Sequence, residues 1–496
     1  MSLTISVQEI INKSNNPLLG IHKSWGRVQL GLIAHILNGF AFSSSKFSKS
    51  GEGMPLIRIR DIGYNRTDCT YTGSYDSKYI VKPGDLLIGM DGDFKCARWS
   101  GPEALLNQRV CKVDIRSSYY NPKLLDFVLP VYSNAINSYT SSVTVKHLSS
   151  NTIMEIPLPL PPLSEQHRIV DKIEELFSKL DAGIESLKKV QAQVKRYRQA
   201  VLKHAFEGKL TAAWREANKP RLEPALVLLN KAEIEKKKNI SGKKKENSNL
   251  DIANLTKLPE GWEWTRFENV IDDFKRGPFG SSIKKEYFVP TGYKVYEQQN
   301  AIYKTFKRGN YYISEEKFNE LKAFEVKPLD YIVSCSGTIG CLYRLPKDAP
   351  IGVINQALLR IRINENIIAP LYFNYLFESH DFQQRIIKDA KGTAIKNIAG
   401  VKELRAVPFP LCSKDEQLKI VEEIERRFSI ADRIEEIVEQ NLKRAERLRQ
   451  SILKKAFEGK LVSQDPTDEP ASVLLERIKA EKEKADKKDQ CRRSKN

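Results

Sequence analysis

The chain has 496 residues and carries 81 Lys+Arg against 62 Asp+Glu, giving a net charge of +19 and a pI near 9.4. With 41% hydrophobic and 9% aromatic residues it is a folded chain with room for about three domains, and its positive balance makes a polyanion the first partner to consider. Seven cysteines without a CxxC pair and six histidines without ligand spacing argue against a metal site, and no apolar run reaches the roughly 18–20 residues of a membrane span; scattered free thiols suit a soluble, cytoplasmic protein.

In chain order, residues 1–156 read as a first variable domain of mixed composition with much β structure. Short apolar runs such as Leu86–Ile88 are set between Gly, Pro, Asp and Ser, Ser43–Gly53 is loop-like, and Gly51-Glu52-Gly53 suits a turn. Residues 157–210 predict a long helix, with Ile169, Ile173, Leu176, Leu180, Ile184, Leu187, Val190, Val194, Tyr197 and Val201 recurring at steps of three and four. A stripe sustained over that length is a coiled-coil seam rather than a globular helix face. Residues 211–258 hold a short helix and a basic linker that includes Lys236–Lys245. A second variable domain, 259–407, again shows strand-length runs (Tyr331–Val333) and a polar loop at Pro278–Ser282.

A second long helix follows over 408–461, with Ile420, Ile424, Phe428, Ala431, Ile434, Val438, Leu442, Ala445, Leu448 and Ile452 as its stripe; residues 462–496 add a C-terminal helix and basic tail. Ser413-Lys-Asp-Glu416 has capping-box spacing, Gly208 and Gly459 stand where a glycine would end each long helix, and Phe206 and Phe457 are expected to pack there. About 44 residues at ~1.5 Å each make a rod of ~65 Å. An apolar stripe that long requires a partner, and the other copy, paired antiparallel, is the expected one.

The two halves repeat. Pro157–Leu210 returns as Pro408–Leu461 at an offset of 251 (408 − 157), and about 24 of the 54 positions are identical. Outside the helices, Val81-Lys-Pro-Gly-Asp answers Val326-Lys-Pro-Leu-Asp, Asn107-Gln108 answers Asn355-Gln356, and Thr144-Val-Lys146 answers Ala394-Ile-Lys396. Trp25-Gly-Arg-Val is matched to Trp264-Thr-Arg-Phe, and Glu223-Pro-Ala to Glu469-Pro-Ala. A chain of two equivalent halves suits a partner with two equivalent parts.

The paired Pro-Leu-Pro-Pro-Leu-Ser-Glu-Gln (159–166) and Pro-Leu-Cys-Ser-Lys-Asp-Glu-Gln (410–417), with the repeated Ala-Phe-Glu-Gly-Lys-Leu (205–210 and 456–461) and Leu258-Pro-Glu-Gly-Trp-Glu-Trp264, resemble the specificity subunit of type I restriction-modification systems. The likeness covers essentially the whole chain; the first domain departs from it by lacking a Leu-Pro-Gly-Trp opening. The resemblance implies an α+β fold: two mixed α/β target-recognition domains separated by two long antiparallel coiled-coil helices, an internal pseudo-twofold repeat, and segment 469–485 meeting the first half. It implies a non-catalytic reader of a split, asymmetric site in double-stranded DNA, docked to two methylation subunits and to restriction (translocase/nuclease) subunits. S-adenosylmethionine, ATP and Mg would sit on those partners, with no cofactor or metal on this chain and no membrane contact.

The motifs agree with that expectation. The chain contains no Asn-Pro-Pro-aromatic or Asp-Pro-Pro-aromatic tetrapeptide and no G-x-x-x-x-G-K-[ST] phosphate loop. Base discrimination requires paired hydrogen-bonding groups. The candidates in the first domain are Arg58, Arg60, Asp61, Asp91, Asp93 and Lys95; in the second they are Glu297, Gln298, Gln299, Asn300, Ser336 and Thr338, with Glu297–Asn300 aligned on Arg58–Asp61 and Ser336–Thr338 on Asp91–Asp93. Lys46, Asn107, Gln108, Arg109, Thr144, Lys146, Lys284, Asn355, Gln356, Lys391 and Lys396 are candidates for phosphate contacts or for holding loops. Rival readings are a specificity partner in another restriction layout, whose catalytic chain combines methylation and cleavage, a basic coiled-coil scaffold, and an enzyme acting alone.

Overall fold

A computed structural model of the chain describes residues 5–139, 147–239, 255–389 and 396–493. The chain divides into two compact units: residues 1–187 with 440–496, and residues 188–439. The first unit is therefore built from both ends of the sequence, and the second from its middle.

Each unit contains the same pair of sheets. In the first, Ala34–Asn38, Val110–Ile115, Leu86–Gly89 and Cys96–Arg98 form one sheet in that spatial order. Phe47–Ser48, Thr70–Tyr71, Met54–Ile57, Ala104–Leu106 and Ile80–Val81 form the other, parallel only between Met54–Ile57 and Ala104–Leu106. In the second unit, Ile271–Arg276, Leu358–Ile363, Tyr331–Ser334 and Leu342–Arg344 repeat the first sheet. Phe288–Val289, Tyr312–Ile313, Tyr293–Tyr296, Gly352–Ile354 and Glu325–Val326 repeat the second, with its single parallel pair at the equivalent place. The second unit also pairs Ile387–Asp389 with Lys396–Ile398; the matching segment of the first unit lies outside the described residues.

The turns repeat as closely as the strands. Lys82 N–H donates to Asp85 Oδ2 and Lys327 N–H to Asp330 Oδ2, both at 2.8 Å. Gly84 has φ +97°, and its counterpart Leu329 is forced to φ +72°. A left-handed L-residue costs about 1–2 kcal/mol, partly offset by the extra freedom glycine has when unfolded. Leu329→Gly is therefore expected to raise the stability of the second unit by up to about 1 kcal/mol, read as a shift in its denaturation midpoint.

The long helices are Leu163–Phe206 and Lys414–Phe457, 44 residues each, ended by Gly208 (φ +70°) and Gly459 (φ +66°). Along the second helix Ile424, Ala431, Val438, Ala445 and Ile452 are buried at seven-residue steps, with Phe428 and Leu442 half-buried beside them. The first helix buries Ile173, Val194 and Val201 and half-buries Leu180 and Leu187. Tyr197, Ile434 and Leu448, expected in the stripe, are exposed. The seam is a narrow heptad line, and these three lie off it.

Within the first unit, Arg449 pairs with Asp181 and lies 4.3 Å from the Phe177 ring, while Ile173 shares a core with Ile452 and Phe457. Within the second, Arg198 pairs with Asp432 and Glu435 and lies 4.9 Å from the Phe428 ring, while Val201 and Phe206 share a core with Ile420 and Ile424. In both units one helix index rises as the other falls, so the segments run antiparallel. The two clamps are one contact repeated at the 251-residue offset.

The Glu-Gln pair that opens each helix docks it to its sheet. Gln166 Oε1 accepts from Asn121 N–H, ahead of the helix Pro122–Tyr139, and Gln417 Oε1 accepts from Ala369 N–H, ahead of Pro370–Glu378, both at 2.7 Å. Glu165 is buried and accepts from Trp25 Nε1–H at 2.9 Å; Glu416 accepts from Trp262 Nε1–H at 2.8 Å. These bonds correct the sequence alignment, since Trp25 answers Trp262 rather than Trp264. Strand register agrees, because Gly26 faces Leu160 as Glu263 faces Leu411. The first domain thus keeps the opening tryptophan, preceded by Lys23-Ser24 in place of Glu260-Gly261.

The capping box at Ser413 is only half formed. Ser413 Oγ accepts from Glu416 N–H at 3.2 Å, but the Glu416 carboxylate is taken by Trp262, Thr211 and Arg215. Ordinary box geometry gives way to docking. In the first unit the C-terminal segment completes the core through Leu474 and Ile478. Arg168 holds Asp468 at 2.6 Å and keeps its carboxyl below the usual range, while Glu481 accepts from Ser117 and Ser118.

Candidate nucleic-acid interface

In the first unit the strand Met54–Ile57 runs into a tight turn at Ile59–Asp61. Arg58 N–H donates to Asp61 Oδ2 at 2.9 Å, and Asp61 is only 6% exposed. Asp61 therefore holds the turn and is not free to read a base. Arg58 and Arg60 both pair with Asp68, Arg60 at 3.2 Å with an exposed side chain.

The loop after Leu86–Gly89 brings up Asp91, which takes Arg109 at 2.9 Å and His147 at 2.6 Å. Asp91 and Arg109 are among the residues expected from the sequence, and His147 is not, because a lone histidine carries no signal until the fold brings it to Asp91. Asp93 and Lys95 are exposed, and Lys95 Nζ stands 5.2 Å from the exposed Tyr64 ring, a second residue the sequence reading passed over. A Cβ on Gly89 would lie 3.2 Å from Ile59, 3.4 Å from Ile62 and 3.8 Å from the Lys95 backbone nitrogen, so the 58–64 and 90–95 segments share one edge of the unit.

Asn107 is buried, whereas Gln108, Arg109 and Lys46 are exposed. Gly39 explains the buried asparagine: a Cβ there would lie 2.0 Å from the Asn107 carbonyl oxygen, so chain and loop touch backbone to backbone. Thr144 and Lys146 lie outside the described residues.

The second unit builds the same edge with different groups. Glu297 N–H donates to Asn300 Oδ1 at 2.8 Å, repeating the Arg58–Asp61 turn. Asn300 is fully buried and its amide donates to the Thr305 and Arg308 carbonyls at 3.0 and 2.8 Å. Like Asp61, it belongs to the scaffold. Gln298 joins Ser336, whose hydroxyl donates to Gln298 Oε1 at 3.2 Å, so the 297–300 turn and the 336–338 loop are brought together. Gln299 donates to Glu297 Oε2 at 2.8 Å.

Thr338 is exposed, and its carbonyl accepts from Ser334 Oγ at 2.6 Å. Asn355 Oδ1 accepts from Ala357 N–H at 3.0 Å and so shapes its own loop, leaving Gln356 exposed beside it. Lys284 is exposed and pairs with Glu286 at 3.4 Å. Lys391 lies outside the described residues; Lys396 opens the strand Lys396–Ile398, and its side chain is likewise outside them.

Each edge is thus a shared backbone frame carrying exchangeable polar side chains. Arg60, Asp93 and Lys95 occupy in the first unit the region that Gln298, Gln299, Ser336 and Thr338 occupy in the second. Donors and acceptors mounted on rigid turns suit recognition of base edges and phosphates. Among the described residues no cluster of three or more His, Cys, Asp or Glu is placed to hold a metal, and no helix is long and apolar enough to cross a membrane.

Comparison with known proteins resolves the family. Residues 22–196 match the type I restriction modification DNA specificity domain. The chain is 35% identical over 495 residues, covering 97% of both sequences, to the type I restriction enzyme EcoBI specificity subunit of Escherichia coli. This chain belongs to the type I specificity subunits. It is also 26% identical to the EcoKI specificity subunit of Escherichia coli (strain K12), over 93% of this chain and 96% of that one. A chain from a solved type I R-M system shares the fold with a TM-score of 0.53 at 17% identity, covering 89% of this chain and 99% of that one. As a specificity subunit the protein recognises DNA sequence, and the two paired-sheet units with their long helices are the family's architecture.

Proposed function

We propose that each unit reads one half of a split, asymmetric target in double-stranded DNA, and that this chain contributes recognition without catalysis. The observation that carries this reading is the matched pair of edges: the same strand order and the same capping bond at the turn, with Arg58/Arg60 against Glu297/Gln299 and Asp91/Asp93 against Ser336/Thr338. One scaffold presenting two chemistries suits a target whose halves differ. In this reading the long helices set the spacing of the halves and dock two methylation subunits, which carry S-adenosylmethionine and act on adenine N6. Restriction subunits using ATP and Mg complete the assembly, in the cytosol. The charge of +19 supports binding to duplex DNA through phosphate neutralisation.

Side-chain exposure moves the emphasis from Arg58, which is turned into the Asp68 pair, to Arg60. Arg60→Ala is expected to relax one base position of the first half-site by about 1–3 kcal/mol, and Gln298→Ala one position of the second. Each variant should leave the other half-site unchanged in adenine-methylation mapping. The test of the whole reading is co-purification with the methylation subunit encoded beside it, followed by mapping of methylated adenines in genomic DNA. A single two-part motif with a fixed spacer is the expected result. A complex that methylates without any such motif would sink the proposal.

A further inference from the structure

One side chain on the second edge is explained neither by the fold nor by polar base reading. The strand Ile271–Arg276 leads into Gly277-Pro278-Phe279-Gly280, and the Phe279 side chain is 90% exposed. The loop is firmly rooted. A Cβ on Gly277 would fall 1.8 Å from the Asn355 carbonyl oxygen, so only glycine allows this approach, and proline fixes φ at the next residue. Phe279 shares a small pocket rim with Glu297, Asn355 and Gln356, which places it among the candidate reading residues.

The first unit shows that the ring is not needed for folding. Gly39 packs on Asn107 as Gly277 packs on Asn355, so Phe40 is the counterpart of Pro278 and Ala41 that of Phe279. Phe40 is 48% exposed, but its ring is held against those of Phe42 and Tyr79 at 5.1 and 5.2 Å, and the position equivalent to Phe279 carries only the methyl group of Ala41. Phe279 instead stands out from a rigid turn on a strongly basic chain. An apolar ring held at a polar, base-reading edge matches the face of a nucleobase, either between two bases of an opened step or stacked on one displaced base.

Building on the assignment of this edge to DNA, we propose that Phe279 wedges into the base stack of the second half-site, a contact the first half-site does not receive. The test uses the full complex with the methylation subunit and duplexes carrying the mapped target, with 2-aminopurine placed at each second-half position in turn. Binding is expected to raise fluorescence at one step. Phe279→Ala should abolish that rise and weaken binding about 5- to 150-fold, the range for losing one base-stacking ring. Phe279→Leu should retain part of both, and first-half probes should not change.

Wild-type specific binding with affinity and fluorescence unaltered by Phe279→Ala would overturn the wedge while leaving the reading of the edge intact. So would a rise that persists in Phe279→Ala, which belongs to the methylation partner. Loss of co-purification without DNA would also overturn it, because the ring would then be a protein contact. Absence of any sequence-specific binding by the wild-type complex would remove the reading of the edge itself, and the wedge with it.

Discussion

Replacing Arg215 with alanine is expected to cost the second unit about 3–5 kcal/mol, the typical result of stripping one partner from a buried ion pair. Glu416 is 1% exposed and meets Arg215 at 2.8 Å, Thr211 Oγ1 at 2.7 Å and Trp262 Nε1 at 2.8 Å. Without the guanidinium, a carboxylate that is almost wholly buried loses the cation paired with it. Hydrogen exchange resolved by residue is the suitable readout, because it separates loss of protection in 188–439 from that in the rest of the chain. Glu416→Gln should also destabilise, by leaving Arg215 unpaired.

The first unit behaves differently at the equivalent place. Glu165 has Trp25 and Gln464 as partners, with no cation among the described residues in direct contact, and burial pushes its carboxyl above the usual range. A carboxyl that binds its proton more tightly when folded adds stability at low pH, and loses that contribution as pH rises from the ordinary carboxylate range through the raised value. Glu165→Gln is therefore expected to be tolerated or mildly stabilising at neutral pH. Equal damage from Glu165→Gln and Glu416→Gln would contradict this account.

Phe457→Ala should cost the first unit about 3–5 kcal/mol, the range for emptying a buried phenylalanine site. Phe457 is 2% exposed and belongs to a core that also holds Val7, Ile10, Trp25, Leu158 and Ile173. The substitution lies near the far end of the sequence, yet its effect should fall on residues 5–139: faster proteolysis there, and loss of the first half-site from the methylation motif. Phe206→Ala is the control. Its ring meets Tyr372 edge-on at 5.3 Å in the second unit, so the damage should move to the second half-site.

Much of this architecture was legible in the residues. Stripes at three- and four-residue steps, with Gly208 and Gly459 behind them, marked the long helices because periodicity and left-handed caps are local properties. The Lys-Pro-x-Asp turns and the Asn-Gln pairs aligned for the same reason. The Trp264 match failed because a shared Trp-x-Arg pattern looked better than the true partner, and only strand register and the Glu165 and Glu416 bonds identify Trp262. Asp61 and Asn300 looked like base readers because a sequence cannot distinguish a side chain that caps its own turn from one that points outward. Tyr197, Ile434 and Leu448 satisfied the helical period, but a heptad seam is narrower than that period allows. Phe279 was seen only as loop, since its exposure depends on how tightly Gly277 meets Asn355.

The assignment of both chain ends to one unit has a consequence for synthesis. Translation proceeds from the N-terminus, so residues 1–187 leave the ribosome well before their core partners Ile452, Phe457, Leu474 and Ile478 are made. Residues 188–439 are contiguous and have every partner in hand earlier. The earlier-made portion is therefore completed after the second unit, and until then it presents an open apolar face of the kind that chaperones hold and aggregation exploits. A chain truncated just before Gln440 should yield a protected second unit beside an N-terminal portion that proteases digest. Only a chain translated through Ile478 carries both readers with complete cores, so a product terminated before that point would be excluded from reading a complete two-part site.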